Sequence, residues 1–144
     1  MSLYRTAAIK IAEYIVTQAC EKGDPVSNLK LQKLLYYVQG EALKTHGESA
    51  FDESIEAWNY GPVVRSVYEK FRIFGAGPIF RKYETPSITG DIKDVIDSVI
   101  DTYGELSAWQ LVQETHKPDT PWSMTMEKGQ LTISMRSMRE FFCK

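Results

Sequence analysis

The sequence predicts a mostly α, compact single-domain bundle of about five or six helices with minor short extended segments. The chain has 144 residues, the usual size of one domain and too short for two ordinary ones, so we expect residues 1–144 to form a single domain. Hydrophobic residues make up 43% and charged residues 25% of the chain, which is typical of a globular protein with a folded core. Apolar residues also recur at helical spacing between glycine and proline breaks.

The first two helices are predicted from their apolar faces. Apolar residues of the first helix fall at i, i+3, i+4, i+7 and i+11, namely Ala8, Ile11, Ala12, Ile15 and Ala19. Gly23-Asp24-Pro25 ends it, and Ser27 or Asn28 can cap the second helix. The second helix has the same spacing in Leu31, Leu34, Leu35, Val38 and Ala42. We expect it to end near His46-Gly47 and to expose its other face, with Lys30, Lys33, Glu41 and Lys44.

The middle of the chain is less regular. Ile55, Ala57 and Trp58 fit a short extended or turn segment. Tyr60-Gly61-Pro62 predicts the beginning of a third helix, because proline suits the first helical position and glycine can cap it. That helix is expected to carry Val64, Val67, Phe71 and Phe74. Gly75-Ala76-Gly77-Pro78 breaks it, and we expect a connection with a short strand or hairpin up to about Ser87, including Pro86.

Three further elements are predicted towards the C-terminus. A fourth helix carries Ile92, Ile96, Val99 and Tyr103 and ends at Gly104. A fifth begins with a capping box of Ser107 and Gln110, beside Leu106 and Leu111 at the spacing of a hydrophobic staple. The stretch from Thr115 to Trp122 is predicted to be a loop bracketed by Pro118 and Pro121. A last helix carries Met135, Met138 and Phe142.

Charge and cysteine content disfavour several classes of protein. The chain has 17 Lys and Arg against 19 Asp and Glu, a net charge of -2, which argues against general nucleic-acid binding. Cys20 and Cys143 lack the paired spacing of a metal site or disulfide, so we expect two core thiols in a reducing compartment. The sequence shows no signal peptide and no apolar run of membrane-spanning length, so we expect a cytoplasmic protein.

Three stretches carry a resemblance to a known family. They are Leu29-Lys30-Leu31-Gln32-Lys33-Leu34-Leu35-Tyr36-Tyr37, then Glu56-Ala57-Trp58-Asn59-Tyr60-Gly61-Pro62-Val63-Val64, and last Ser107 to His116 with Pro121-Trp122. Together, and in this order, they resemble the Panacea antitoxin domain family, which includes many phage-associated bacterial proteins and the SocA-type antitoxins. The similarity extends over roughly residues 4 to 142.

This resemblance implies an antitoxin that neutralises a toxin encoded beside it by direct contact. The family's members are paired with chemically diverse toxins, which favours a binding scaffold over one shared reaction. Some members look like adaptors that present the toxin to a protease, and others are fused to DNA-binding regions. We therefore keep a proteolytic adaptor and a DNA-binding regulator as alternatives, although the long connection from Gly23 to Asn28 argues against a helix-turn-helix in the first two helices.

The segment from Trp58 to Pro62 is the first candidate for binding the toxin. Large rings with polar tips are enriched at protein-binding hot spots, and here Trp58 and Tyr60 adjoin the turn formers Gly61 and Pro62. The alternative is structural, with Trp58 filling the core and Gly61-Pro62 only starting a helix. Arg65 belongs to a set that either faces an acidic toxin surface or nucleic acid, or is simply solvated: Lys30, Lys33, Lys44, Arg65, Arg72, Arg81 and Lys82.

His116 and Trp122 form the second candidate. A histidine at the end of a helix is favoured in its charged form by the helix dipole, which suits a binding role. In the structural alternative, His116 hydrogen-bonds the last carbonyls of the helix and Trp122 folds back over it. Among the titratable residues, His46, His116 and Glu114 are the set able to form a base or metal site, but no metal, phosphate-binding or nucleophile motif accompanies them.

The sequence therefore predicts a protein that is not an enzyme, has no catalytic residue and needs no metal or cofactor. Its predicted partner is a cognate toxin, with a protease as a second partner in the adaptor alternative; no membrane is expected, and nucleic-acid binding is disfavoured. The residues predicted to contact that partner are Trp58, Tyr60, Gly61, Pro62, Arg65, His116 and Trp122. A hydrolase is the least favoured alternative.

Overall fold

The computed structural model describes residues 5–85, 88 and 90–144. Its helices are α1 (Ala8–Glu21), α2 (Asn28–His46), α3 (Arg65–Phe71), α4 (Gly90–Tyr103), α5 (Ala108–Thr115), α6 (Pro121–Glu127) and α7 (Met135–Phe142). A 3-10 turn, Arg72–Phe74, extends α3, and the strands are β1 (Ile55–Trp58), β2 (Gly61–Val63) and β3 (Thr132–Ile133). The predicted mostly α fold class is confirmed. Residues 1–4, and Pro86 and Ser87 of the predicted connection, lie outside the described residues.

Helix α2 lies at the centre of the fold and contacts α1, α3, α4, α5, α7 and β2. Every residue from 31 to 40 is buried, on all faces of the helix. The prediction that Lys33 faces solvent is therefore wrong, because the hairpin β1–β2 and helix α5 cover the side of α2 that carries it. Lys44 is exposed as expected, whereas Lys30 and Glu41 are half-buried.

Two amides at the beginning of α2 connect it to α3 and to the residue just before α3. Asn28 Nδ2 donates a hydrogen bond to the carbonyl of Tyr68 at 3.1 Å. Gln32 Nε2 donates to Asn28 Oδ1 at 2.9 Å, and Gln32 Oε1 accepts the backbone N–H of Val64 at 2.8 Å. Buried polar groups are stable when each finds a partner, and this chain of hydrogen bonds also fixes where β2 ends and α3 begins.

The side-chain amide of Gln39 likewise forms hydrogen bonds with the irregular segment that follows α2. Its Oε1 accepts the backbone N–H groups of Ala50 at 2.7 Å and Phe51 at 3.3 Å. Its Nε2 donates to the carbonyl of Phe51 at 2.9 Å. The amide therefore replaces the backbone partners that this irregular segment lacks, and it positions the chain just before β1.

The three strands form a small antiparallel sheet in the order β2-β1-β3. Trp58 pairs with Gly61, so the turn of the β1–β2 hairpin consists of Asn59 and Tyr60. The prediction that Gly61-Pro62 starts a helix is wrong, since both residues lie in β2 and α3 begins at Arg65. Proline is tolerated in β2 because this is an edge strand, where a missing N–H interrupts no ladder.

The C-terminal half follows the predictions except at α6 and β3, neither of which was predicted. Helix α4 ends at Tyr103, and the capping box of Ser107 and Gln110 is present at the start of α5. The predicted loop to Trp122 is shorter than expected, because α6 begins at Pro121 behind a second capping box of Thr120 and Ser123. That box uses a serine where the sequence rule expects Glu or Gln.

The cysteine prediction is also wrong in part. Cys20 is half-buried and Cys143 is exposed near the C-terminal end of α7, so neither is a fully buried core thiol. Both are free thiols. Within the described ranges, no helix combines the length and apolar character that a membrane span requires.

We predict that Gln39→Leu lowers the free energy of unfolding by about 3 kcal/mol, because two buried N–H groups lose their acceptor. Gln113→Leu is the control, since Gln113 is exposed on α5 and its replacement should change stability by less than about 0.5 kcal/mol. Urea unfolding followed by circular dichroism measures both variants. Equal stability of the two variants would contradict the role given to Gln39.

Candidate functional site

The structure brings the second and third resemblance stretches into direct contact. Trp122 Nε1 donates a hydrogen bond to the carbonyl of Trp58 at 2.7 Å. The ring of His116 stacks on the indole of Trp122, with centroids 3.7 Å apart and planes within 2°. We call this region the hairpin corner and define it by the predicted contact residues Trp58, Tyr60, Gly61, Pro62, Arg65, His116 and Trp122.

A tight connection between α5 and α6 positions His116 and Trp122. His116 is the C-cap residue of α5, and Pro121 is the first residue of α6. Between them, Thr120 Oγ1 lies within hydrogen-bond distance of the carbonyls of Thr115 (2.7 Å) and Lys117 (2.9 Å). Asp119 takes a left-handed conformation with φ of 67°, which aspartate tolerates better than most residues. The two rings are therefore held together by backbone geometry as well as by stacking.

Trp58 lies at the edge of the core instead of filling it, because its side chain is half-buried. Its Nε1 donates to Glu56 Oε1 at 2.9 Å, and the same oxygen accepts from Arg65 at 2.8 Å. The guanidinium of Arg65 also lies 5.3 Å from the Trp58 ring centroid. Although burial raises the pKa of Glu56, the hydrogen bonds from Trp58 and Arg65 hold it below its ordinary value. Glu56, which the sequence did not single out, thus fixes both neighbours.

Tyr60 is the most accessible ring of the hairpin corner. It lies in the two-residue turn, is 62% exposed and faces Trp109, which is 57% exposed, with ring centroids 6.3 Å apart. Trp109 was not among the residues predicted from the sequence, although it falls outside the buried face of α5 that Leu111, Val112 and Thr115 form. One exposed ring is ordinary, but two exposed rings side by side form an apolar patch of the kind that marks interaction sites.

Gly61 and Lys33 fit closely against each other beneath the turn. Gly61 has φ of 112°, a conformation that side chains with a Cβ rarely adopt. A Cβ at this position would also lie 2.6 Å from Lys33 Cε and 3.0 Å from Thr115 Oγ1. Glycine is therefore required twice, once for the backbone and once to leave space for the lysine.

Lys33 is a buried amine without a carboxylate. Lys33 is 0% exposed, and its Nζ donates one hydrogen bond, to the carbonyl of Pro62 at 3.2 Å. Burial lowers the pKa of Lys33 to about 7. None of the ion pairs found among residues 5–85, 88 and 90–144 includes it.

His116 differs from the sequence prediction. Burial and the nearby charge of Lys33 lower its pKa, so its charged form is disfavoured and the helix dipole does not decide its state. Among the residues that the structure describes, it makes no side-chain hydrogen bond to the end of α5, and its buried Nε2 has no hydrogen-bond partner. The two basic groups thus lie in one poorly solvated region beneath the hairpin corner.

A groove of about 660 Å³ lies beside this region, between the beginning of α2, the hairpin and the end of α3. We call it the hairpin groove. Its lining residues are Asn28, Leu29, Gln32, Lys33, Trp58, Asn59, Tyr60, Val63, Tyr68, Arg72, Gly75 and Ala76. This set contains two basic residues and no acidic one.

The residues considered for metal or base chemistry are not brought together. In the described part of the chain, no group of three or more His, Cys, Asp or Glu is placed to hold a metal ion. Glu114 pairs with Lys117 at 2.9 Å, and His116 is occupied by stacking. The predicted basic set is also divided, because Lys33 is buried and Arg65 pairs with Glu56.

Two comparisons with known proteins agree with each other. The family model described as "Antitoxin SocA-like, Panacea domain" matches residues 31–123, which include every residue of the hairpin corner. Antitoxin SocA from Caulobacter vibrioides (strain NA1000 / CB15N) is 32% identical over 126 residues, covering 79% of this chain and 67% of that protein. No solved structure matches the chain.

We predict that Gly61→Ala lowers the free energy of unfolding by at least about 3 kcal/mol, since it combines backbone strain with a clash against Lys33. Gly47→Ala is the matched control. Gly47 also has positive φ, 70°, but a Cβ added there would meet no atom within 4 Å, so the loss should be about 1 kcal/mol. Urea unfolding of both variants gives the comparison, and similar losses would contradict the close fit at Gly61.

We also predict that the free energy of unfolding rises between pH 7 and pH 9 by up to about 1.4 kcal/mol per pH unit. The amine of Lys33 loses its proton near pH 7 in the folded state but only near its ordinary value of 10.5 when unfolded. The unfolded chain therefore binds more protons across this range, which makes stability increase with pH. The lowered pKa of His116 acts below this range, and the raised pKa values of Tyr36 and Tyr37 act above it.

The Lys33→Met variant tests whether Lys33 causes this dependence of stability on pH. It should be more stable than the unaltered protein at pH 7, because a buried charge is replaced by an apolar chain of similar length. Its stability should also change little between pH 7 and pH 9. Urea unfolding at pH 7, 8 and 9 measures this, and an unchanged pH slope in the variant would assign the effect to another group.

Proposed function

The chain belongs to the SocA-like antitoxin family that carries the Panacea domain, and from this we propose that it neutralises a cognate toxin by direct protein–protein binding. We further propose that residues 1–144 act as one such domain in the bacterial cytoplasm, where the toxin is made. Membership of an antitoxin family supports a regulator that binds its partner and performs no reaction. The match over residues 31–123 and the similarity to Antitoxin SocA are the basis of this proposal.

The exposed pair of Tyr60 and Trp109 is the observation that supports a binding surface at the hairpin corner. Aromatic rings bury a large area on binding and lose few rotamers, which makes them frequent hot spots. Tyr60 stands on a short turn fixed by the sheet, and Trp109 stands on the capped first turn of α5. Both rings are therefore presented to a partner on rigid elements.

The predicted contact residues divide into two roles in this proposal. Tyr60 and Arg65 are exposed and touch the toxin directly. Gly61 and Pro62 are buried, so they shape the turn from below. The half-buried rings Trp58, His116 and Trp122 hold the hairpin against α5 and α6.

Co-expression tests the function. The open reading frame beside this gene is expressed alone and together with this chain, and growth is measured. We expect growth arrest that this chain relieves, together with co-purification of the two proteins. Immunoblotting of the toxin separates masking, in which its level is maintained, from delivery to a protease, in which its level falls. A harmless neighbour, or toxicity that this chain leaves unchanged, would contradict the antitoxin proposal.

We predict that Tyr60→Ala weakens toxin binding by about 30-fold or more, which corresponds to a hot-spot loss of about 2 kcal/mol. Phe80→Ala is the control, because Phe80 is 63% exposed and is not among the residues that line the hairpin groove. Both variants should keep the unaltered unfolding midpoint. Calorimetric titration with the toxin measures the affinities, and equal affinities for the two variants would place the binding surface elsewhere.

A further inference from the structure

Three independent features of the hairpin groove favour a bound anion. Arg72 lies at its rim, with an exposed side chain that has no hydrogen bond or ion pair to any described residue. Lys33 lies beneath its floor with no carboxylate partner. Asn28 and Leu29, the first residues of the 19-residue helix α2, also line it, so the positive end of that helix dipole is directed here.

No charge of the groove itself balances these groups. The lining residues include no Asp or Glu, whereas other cations of the chain have partners, such as Arg65 with Glu56 and Lys70 with Glu13. The remaining walls are largely apolar or aromatic, including Trp58, Tyr68 and Val63. An uncompensated positive site between apolar walls is complementary to an anion carried on an apolar segment.

We propose that the hairpin groove receives an acidic side chain of the toxin, whose carboxylate pairs with Arg72 at the rim above the buried amine of Lys33. This inference rests on the proposed function, because it takes the toxin as the partner. It adds the chemistry of recognition to the surface described above. Tyr60, which lines the groove and also stands beside Trp109, joins the groove to the exposed aromatic pair.

A carboxylate fits this site better than a nucleic-acid backbone. Phosphate backbones are bound by extended sets of lysine and arginine, whereas this groove contains two basic side chains in a chain with net charge -2. The guanidinium of Arg72 offers the planar fork that matches a carboxylate. A volume of about 660 Å³ also accommodates the apolar neighbours of an acidic residue.

The burial of Lys33 is explained by this arrangement. The side chain is fully buried with one hydrogen bond and no carboxylate partner among the described residues, and this burial disfavours the ammonium form in the free protein by lowering the pKa to about 7. A carboxylate bound in the groove favours that form, since the two charges attract across a region of low polarity. The protein therefore keeps a charge that destabilises it when free and strengthens its complex when bound.

Charge reversal at Arg72 is the test. Calorimetry compares binding of the purified toxin, identified by the co-expression experiment, to the unaltered chain and to Arg72→Glu. Lys128→Glu is the control, because Lys128 is exposed, does not line the groove and its replacement changes the net charge by the same amount. Thermal unfolding checks that each variant folds. We expect Arg72→Glu to weaken binding at least 30-fold and Lys128→Glu to change it less than 3-fold.

The toxin side of the contact is then located by rescue. Each Asp and Glu on the toxin surface is replaced by Arg in turn, and binding to the Arg72→Glu chain is measured. One replacement should restore affinity at least 10-fold while weakening binding to the unaltered chain. If none does so, the groove does not hold an acidic side chain and the inference is overturned.

Lys33→Met gives a second, independent readout. The variant should bind the toxin at least 5-fold less tightly than the unaltered chain, even though its unfolding midpoint at pH 7 is higher. Unchanged or tighter binding by a folded variant would overturn the part given to Lys33.

The two proposals fail in different ways. If the unaltered chain does not bind the toxin, the proposed function fails. If Tyr60→Ala abolishes toxin binding while Arg72→Glu leaves it intact, the function stands and this inference fails. Binding to a duplex oligonucleotide from the gene's own promoter is measured as well. If Arg72→Glu loses this binding but keeps toxin binding, the groove binds nucleic acid and the inference is overturned.

Discussion

The fold depends on the hydrogen bonds that the buried polar side chains of α2 make to irregular backbone. Asn28, Gln32 and Gln39 each supply the partner that a strand end, a loop or a helix start lacks. These bonds allow a central helix to be surrounded by short elements that have little regular structure of their own. Lys33 is less completely satisfied, because a single carbonyl accepts from only one of its three N–H groups, and the buried hydroxyl of Tyr36 has no hydrogen-bond partner among the described residues. Of these two groups, the lysine amine is the one that lies beneath the candidate binding surface.

The sequence predicted those elements that depend on local signals. Helices α1, α4 and α5 follow from apolar spacing and capping, and the capping box of Ser107 and Gln110 has the predicted geometry. The burial of Lys33 was not predictable in this way, because an apolar face identifies only one covered side of a helix, whereas α2 is covered on all sides. The hairpin was missed because Asn59-Tyr60 is not a typical two-residue turn pair and Gly61-Pro62 also fits a helix start. Its geometry is set by pairing between strands, which spacing along the chain does not reveal.

The candidate site was predicted as separate stretches but not as an arrangement. The resemblance identified the segments around Trp58 and Trp122, and only the fold shows that the indole of Trp122 bonds to the backbone of Trp58. Glu56 and Trp109 were missed as parts of the site, and Lys33 was expected only as a solvent-facing cation, for different physical reasons. Glu56 acts through partners on either side of a turn, Trp109 approaches Tyr60 across elements, and Lys33 reaches the site from beneath. Each role depends on contacts that the fold creates and that residue spacing along the chain does not show.

The contact between Gly61 and Lys33 separates positions that evolution can vary from positions that it cannot. A side chain at position 61 would collide with the lysine, and the positive φ independently disfavours any residue other than glycine, so position 61 is constrained whichever residue stands at position 33. Tyr60, one residue away, projects outwards and carries no comparable restriction. New recognition specificities are therefore accessible through substitutions at the tip of the turn, while the scaffold below it stays constant. An engineer who wishes to redirect this protein to another target has the same division available, with the tip as the randomised region and the glycine held fixed.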